Sequence, residues 1–284
     1  MDQRIIELFD RYTHGGLTRR AFLDRLAALA GGAAAATALL PLLENNYASA
    51  QVVPEGDPRI GTATVDVPGA PGLRGYFAAP HSGAKRPAVI VIHENRGLNP
   101  HIRDVTRRVA VEGFLALGVD YLSPAGGTPS DEDKAREMIG TLKPQDAVAF
   151  SRAALAFLKN RSDGNGKVGA VGFCWGGAQV NALAVAEPML DAGVAYYGRQ
   201  PPADAVGAIR APLLLHYAEM DPGINAGIPA FEAALKQTGK AYELHMYPGV
   251  NHAFNNDTNA ARYNKEAADL AWERTLGFFR KYVH

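Results

Sequence analysis

One cysteine stands out because its neighbours place it at a turn between a strand and a helix. Cys174 lies in the sequence Gly-Phe-Cys-Trp-Gly-Gly of residues 172–177, at the end of the apolar run 168–173. A Gly-x-Cys-x-Gly pattern in this position is typical of a nucleophile elbow, where a larger side chain at either glycine would collide with the neighbouring strand or helix. The turn directs the backbone N–H of Trp175 toward a developing oxyanion, and the helix N-terminus favours a thiolate. The pattern therefore predicts that Cys174 is a nucleophile rather than an inert buried thiol.

A general base and an acid that orients it are expected after such a nucleophile in the chain. Asp221 follows the strand candidate 212–217, and His252 follows the strand candidate 243–247. Both therefore lie at carboxyl ends of strands, the edge at which α/β sheets bind ligands. Glu219 is a competing acid, but Asp221 is preferred because an Asp-Pro pair starts a tight turn that fixes the carboxylate.

The remaining histidines are weaker candidates, including His14 near the N-terminus. No His-Glu-x-x-His or other close metal-ligand spacing occurs, so neither a metal nor another cofactor is predicted. With one cysteine, the chain has no intrachain disulfide and no cysteine-based metal cage. Its 29 basic and 29 acidic side chains balance, which argues against a nucleic-acid partner.

The elements that must position these residues alternate between strand and helix from residue 51 onward. This order predicts one α/β domain over 51–284, with a mostly parallel central sheet and helices on both faces. The sequence does not determine the oligomeric state. The predicted strands are 62–67 and 73–79 as a hairpin, then 88–93, 114–120, 168–173, 193–197, 212–217 and 243–247. The predicted helices are 102–112, 131–159 with a break at Pro144, 177–186, 228–237 and 262–282.

Residues 1–50 have the features of an export leader. Arg19-Arg20 followed by Ala-Phe-Leu resembles a twin-arginine signal, although Asp24 stands where that signal prefers lysine. An uncharged, helix-prone stretch at 27–43 and the small-x-small site at 48–50 follow. This order predicts a periplasmic or secreted protein exported by the twin-arginine route. The apolar stretch is too weakly hydrophobic for stable membrane insertion. The alternative is an amphipathic helix that packs on the domain or mediates oligomerisation.

Several separated motifs together resemble the dienelactone hydrolase family. They are Glu-Asn-Arg-Gly-Leu-Asn at 94–99 after a buried strand, the cysteine elbow, Tyr-Tyr-Gly at 196–198, Asp221, and Gly-x-x-His-x-Phe at 249–254. The resemblance covers about residues 63–279 and implies an α/β-hydrolase fold. It also implies that Cys174, His252 and Asp221 form a triad that hydrolyses a small ester or lactone through a thioester.

The same resemblance assigns roles to the loop at 94–96. Glu94 is expected to hold the resting thiol and to accept its proton when substrate arrives. The backbone N–H of Asn95 is expected to be the second oxyanion donor, beside that of Trp175. Arg96 is a possible anion clamp, or it pairs with an acid.

The substrate contacts transfer less well than the triad. Members specific for dienelactone hold the substrate carboxylate with two arginines, and Asn256 occupies one of those places here. Arg136 is a loosely aligned counterpart of the other, and Phe254 is a candidate pocket residue. Two alternatives therefore stay open: a ligand-binding protein without turnover, and a thiol redox protein that relies on an external thiol.

Overall fold

The computed structural model describes residues 1–47, 50–81 and 83–284. Their strands are β1 Ile60–Asp66, β2 Arg74–Pro80, β3 Arg86–Ile92, β4 Leu115–Asp120, β5 Gly164–Phe173, β6 Ala192–Tyr196, β7 Leu213–Met220 and β8 Tyr242–Asn251. Their helices are α1 Gln3–Thr13, α2 Arg19–Ala30, α3 Ala33–Leu43, α4 Pro100–Val111, α5 Glu132–Thr141, α6 Pro144–Lys159, α7 Trp175–Ala186, α8 Pro222–Asn225, α9 Ile228–Gln237 and α10 Lys265–Tyr282.

The strands form one eight-stranded sheet in the order β1-β2-β4-β3-β5-β6-β7-β8. The first three strands in this order pair antiparallel, and β4 through β8 pair parallel. This confirms the predicted fold class and the predicted hairpin. Because β3, β5, β7 and β8 run parallel, the loops after all four strands meet at one edge of the sheet.

Helices cover both faces of the sheet, and β3 shows why its sequence is uniformly apolar. Ile90 and Ile92 pack in a cluster with side chains of α6, α7 and α9, while Val89 and Val91 pack with those of α4 and α10. Successive side chains of a strand point to opposite faces, so a strand covered on both faces must be apolar at every position.

The last helix begins later than its sequence pattern predicts. The Asn264 side chain accepts a hydrogen bond from the Ala267 N–H and caps α10, which starts at Lys265. Arg262, predicted to open this helix, therefore lies in the preceding loop with its side chain buried.

Residues 3–43 fold as three helices that pack against the domain, in line with the alternative of a packed amphipathic helix. Their apolar side chains form a cluster of their own, including Phe9, Tyr12, Phe22 and Leu26. A hydrogen bond from Asn259 to the Leu43 carbonyl is one of the polar contacts that join this segment to the domain.

Export by the twin-arginine route stays a prediction. The site at 48–50 includes residues 48 and 49, which lie outside the described residues. Within the described part of the chain, no single helix is long and apolar enough to cross a membrane. The pair α2 and α3, bent by 112°, meets the length and composition criteria only when taken together.

Candidate active site

Cys174 lies at the strained turn between β5 and α7. Its φ angle is 55°, and its N–H donates to the Tyr196 carbonyl at 3.0 Å. A Cβ added to Gly172 would lie 2.1 Å from the Gly176 carbonyl oxygen, and one added to Gly176 would lie 2.3 Å from that of Ile92. Only glycine fits at both positions, because backbone atoms cannot yield as a flexible side chain can. The glycines of the motif thus allow β5, α7 and β3 to approach closely and hold the cysteine between them.

His252 and Asp221 come together at the same edge of the sheet. His252 Nδ1 lies 2.5 Å from Asp221 Oδ2, and the Asp221 carboxylate also accepts from the Ile224 N–H at 3.3 Å, which caps α8. The His252 side chain is 4% exposed. A ring nitrogen of His252 lies within 4.8 Å of the Cys174 sulfur. Since Nδ1 faces Asp221, the opposite nitrogen, Nε2, is the one that faces the sulfur.

Burial and charge act in opposite directions on these three groups. Burial disfavours the Cys174 thiolate, but the positive charges of His252 and His14 outweigh it and lower the pKa of the thiol to about 6. Burial disfavours a charged imidazole, yet the thiolate and the Asp221 carboxylate raise the pKa of His252 well above its usual value. Burial alone would raise the pKa of Asp221, but the positive charge of His252 outweighs it and lowers that pKa below its usual value. The arrangement therefore favours a thiolate–imidazolium pair near neutral pH.

The N-terminal segment contributes a side chain to this site. His14, directly after α1, places its Nε2 3.4 Å from the Cys174 sulfur, and its ring meets that of His252 edge-on at 4.6 Å between centroids. The preceding carbonyl, that of Thr13, accepts a hydrogen bond from the Asn95 side chain at 2.7 Å. Sequence reasoning ranked His14 low because no motif surrounds it and 160 positions separate it from Cys174.

A cavity of about 390 Å³ opens beside the sulfur. Arg136 lines it, with Nη2 3.3 Å from Asp133 and its guanidinium 4.4 Å from the centre of the Tyr12 ring. Its Nη1 is buried and has no hydrogen-bond partner within the described residues. The full set of lining residues is Thr13, His14, Gly15, Asn95, Arg136, Ile139, Gly140, Leu142, Cys174, Trp175, Tyr197, Arg199, Ile224 and His252. This set of described residues contains two arginines, Arg136 and Arg199, and no carboxylate.

Glu94 is buried at the end of β3 and contacts a different residue from the one the resemblance implies. Its Oε2 accepts from the Asn256 side chain at 2.9 Å, while its Oε1 has no partner in the described structure. Asn256, at a place where an arginine is expected, is thus occupied with Glu94. The charge of Arg262 also interacts with Glu94, a neighbour that sequence reasoning did not find.

Two residues expected to contact substrate lie elsewhere. Arg96 is buried and its Nε lies 2.9 Å from Glu132, so its charge is already paired, and it lines a separate cavity under the N-terminal helices. Phe254 is fully buried and packs against Tyr197 and Tyr247 in the core below the site. Phe254 is therefore corrected, because it supports the site from within the core, whereas Arg96 has the second of its two expected roles and pairs with an acid.

The sheet, its helices and the residues at its carboxyl edge define an α/β-hydrolase fold. The family model described as the dienelactone hydrolase family matches residues 73–283, and the chain belongs to that family of hydrolases. A second family model, described as YqhI-like, matches residues 1–31.

Relatives and solved structures agree with this assignment. A provisionally named carboxymethylenebutenolidase of Saccharolobus solfataricus is 35% identical over 245 residues, covering 74% of this chain and 94% of that protein. A Bradyrhizobium protein, provisionally named a 2-oxo-3-(5-oxofuran-2-ylidene)propanoate lactonase, is 33% identical over 73% of this chain and 89% of its own. A crystal structure of a provisionally assigned dienelactone hydrolase from Klebsiella pneumoniae superposes with a TM-score of 0.71 at 29% identity, covering 78% of this chain and 99% of that one.

Proposed function

We propose that this hydrolase cleaves small carboxylic esters or lactones through a thioester on Cys174, with His252 and Asp221 completing a catalytic triad. The observation that supports this most directly is the strained elbow that presents Cys174 to a histidine held by a buried aspartate. In such a unit the acid orients the imidazole, and the imidazole exchanges protons with nucleophile and leaving group.

The reaction proceeds in two halves. The Cys174 thiolate attacks the carbonyl carbon, and the backbone N–H groups of Trp175 and Asn95 stabilise the oxyanion that forms, an effect worth about 3 kcal/mol per donor. The carbon–oxygen bond then breaks as the His252 imidazolium protonates the leaving alkoxide. Neutral His252 next takes a proton from water, the hydroxide attacks the thioester, and carboxylic acid and thiolate are released.

The cavity favours an anionic substrate. Arg136 has one unpartnered buried N–H group, and the exposed Arg199 lies at the same cavity. The lactone in the name of the Bradyrhizobium relative carries a carboxylate. We therefore propose a small ester or lactone with a carboxylate group as the substrate class, with Arg136 as the residue that binds this group.

Cysteine-dependent turnover is the test of this proposal. Freshly reduced full-length protein should hydrolyse p-nitrophenyl acetate, and Cys174→Ala should lower kcat by at least about 1000-fold. A rapid first release of p-nitrophenolate, together with an acetyl group detected on Cys174 by mass spectrometry, would support the thioester. Wild-type protein without turnover would contradict the proposal and favour a ligand-binding or thiol redox protein. Activity retained in Cys174→Ala would exclude the thiol nucleophile.

A further inference from the structure

Three donor atoms of the type that binds zinc converge at the active-site cysteine. His14, Cys174 and His252 each offer one ligand atom, and these atoms all lie within 4.8 Å of one another. In a tetrahedral zinc site, bond lengths of about 2.3 Å to sulfur and about 2.0 Å to nitrogen place the two ligands about 3.5 Å apart. The 3.4 Å between His14 Nε2 and the Cys174 sulfur matches this spacing.

Both imidazoles are oriented by an oxygen on their far side. His252 Nδ1 lies 2.5 Å from the Asp221 carboxylate, and His14 Nδ1 lies 2.7 Å from the Asp10 carbonyl. A carbonyl oxygen only accepts hydrogen bonds, so His14 Nδ1 carries a proton and a neutral His14 has its lone pair on Nε2. This outer oxygen contact accompanies almost every metal-binding histidine, where it fixes the ring and the tautomer.

The inner nitrogen of His252 is available to a metal. His252 Nε2 is buried and has no hydrogen-bond partner in the described structure, and its side chain is 4% exposed. A divalent cation would satisfy all three donor atoms at once.

The geometry points to a zinc-class metal site formed by His14, Cys174 and His252. A thiolate with two imidazoles selects zinc over magnesium or calcium, which prefer oxygen ligands. All three residues line the cavity of about 390 Å³, so a metal bound here would be open to water. When the metal is bound, the thiolate is a ligand and no longer free to attack a carbonyl. Zinc is therefore a reversible inhibitor of the proposed hydrolysis, a consequence that rests on the proposed function, whereas metal binding itself does not.

The site also joins two parts of the chain, because His14 belongs to the N-terminal segment while Cys174 and His252 belong to the domain. The Asp10–Arg262 ion pair at 2.7 Å holds the end of α1 near this position without a metal. His14 is therefore presented to the sulfur by existing contacts, and metal binding adds a further one.

The test titrates Co²⁺, a spectroscopic substitute for Zn²⁺, into reduced, chelator-treated full-length protein. One equivalent should produce the near-ultraviolet thiolate-to-cobalt band and the visible bands of tetrahedral cobalt, and Zn²⁺ should remove them. Loss of one ligand exceeds the 10- to 100-fold cost of losing an outer contact, so His14→Ala should weaken binding by at least about 100-fold. His81→Ala, at an exposed histidine on the hairpin, is the matched control and should bind like wild type.

The inhibition measurement separates the two proposals. Zn²⁺ should stop p-nitrophenyl acetate hydrolysis by wild type at the concentrations that displace cobalt, and EDTA should restore it; His14→Ala should need at least about 100-fold more. Absence of the cobalt bands in wild type, or equal affinity in His14→Ala, would overturn the metal site. Protein that binds cobalt in a His14-dependent way but hydrolyses no ester would support the metal site and contradict only the proposed function.

Discussion

The two regions that meet at the sulfur of Cys174 are built in different ways. The carboxyl edge of the sheet fixes its residues through backbone packing, as at Gly172 and Gly176, where no Cβ fits. The N-terminal segment has its own small apolar cluster and contacts the domain through Ala261, through the Arg262 guanidinium over the Phe9 ring, and through polar groups. These contacts include Asp10 to Arg262, Tyr12 to Asp133, the Thr13 carbonyl to Asn95, and the Leu43 carbonyl to Asn259.

This difference separates two kinds of contribution to one site. The strand ends hold Cys174, His252 and Asp221 in positions that cannot shift without disturbing the sheet. The segment supplies His14 and one wall of the cavity, held by contacts that can be broken singly. Substitutions at the sheet edge should therefore remove the chemistry, whereas those in the segment should tune it.

The largest effect is expected at the acid of the triad. Asp221→Asn preserves shape but removes the carboxylate that fixes the Nδ1 proton of His252 and stabilises its charged form. A loss of this kind lowers kcat by about 1000- to 10000-fold. Steady-state kinetics with p-nitrophenyl acetate would measure it, and the melting temperature would report whether the fold is kept.

Glu219, near the end of β7 and two residues before Asp221, is a matched control. Its carboxylate accepts from the Gly249 N–H at 2.7 Å and is exposed, while Asp221 is the acid that contacts His252. Glu219→Gln should keep activity within about threefold, since a single exposed contact contributes little. Equal losses of activity in the two variants would mean that the whole end of β7, and not the carboxylate of Asp221 in particular, supports the reaction.

An intermediate effect is expected where the segment is attached to the domain. Arg262 is buried with Asp10 as its ion-pair partner, and Asp10→Asn leaves a buried charge without that partner. Loss of one partner of a buried pair costs about 3 kcal/mol. This loss should weaken the docking of α1 on the domain and leave the stability of the sheet unchanged. Trypsin should then cleave faster within residues 1–31, while the melting temperature of the domain changes little.

An exposed ion pair provides the control. Lys265 and Asp269 lie one turn apart at the start of α10 with side chains 75% and 61% exposed. Asp269→Asn should change stability by less than about 0.5 kcal/mol. If Asp10→Asn instead lowered the melting temperature of the whole chain in one transition, the segment and the domain would form one cooperative unit. The proposed difference between the two regions would then be wrong.

The difference between the sheet edge, which is built from local patterns, and the N-terminal segment, which is held by distant contacts, explains what could be predicted from the sequence. The elbow, Asp221 and His252 could be proposed from the sequence because each follows a predicted strand, with a glycine or proline within three residues. Parallel strands bring such strand ends together whatever the intervening sequence is. The strands themselves were found because buried parallel strands are continuously apolar, as at β3.

Contacts between distant parts of the chain could not be predicted in this way. His14 reaches Cys174 only because α1 docks in one orientation, which its own pattern of apolar residues does not specify. Arg262 was predicted to lie in a helix. Its burial in a loop could not be predicted, because its partner Asp10 lies 252 positions away. Two roles stayed open for Arg96, an anion clamp or an ion pair, because nothing local shows that Glu132 pairs with it.

The smallest effect concerns how each region shifts the ionisation of Cys174. The chain has one cysteine, so alkylation by iodoacetamide reports on this thiol alone. Only the thiolate reacts, and the pKa of about 6 predicts a constant rate above pH 7 and a tenfold fall for each pH unit well below 6. The measurement is made with a chelator present, so that no metal ion competes for the sulfur.

Two histidine variants measure how much each region lowers the pKa of Cys174. Burial alone raises the pKa of the thiol, and the charge of His252 lowers it more than the charge of His14 does. The alkylation midpoint should therefore move to higher pH in both variants, further in His252→Ala than in His14→Ala, because the charge that each supplies is lost. An unchanged midpoint in His14→Ala would mean that the segment has no electrostatic effect on the nucleophile. A larger shift in His14→Ala than in His252→Ala would reverse the ranking and make the segment, rather than the sheet edge, the principal source of the thiolate's stability.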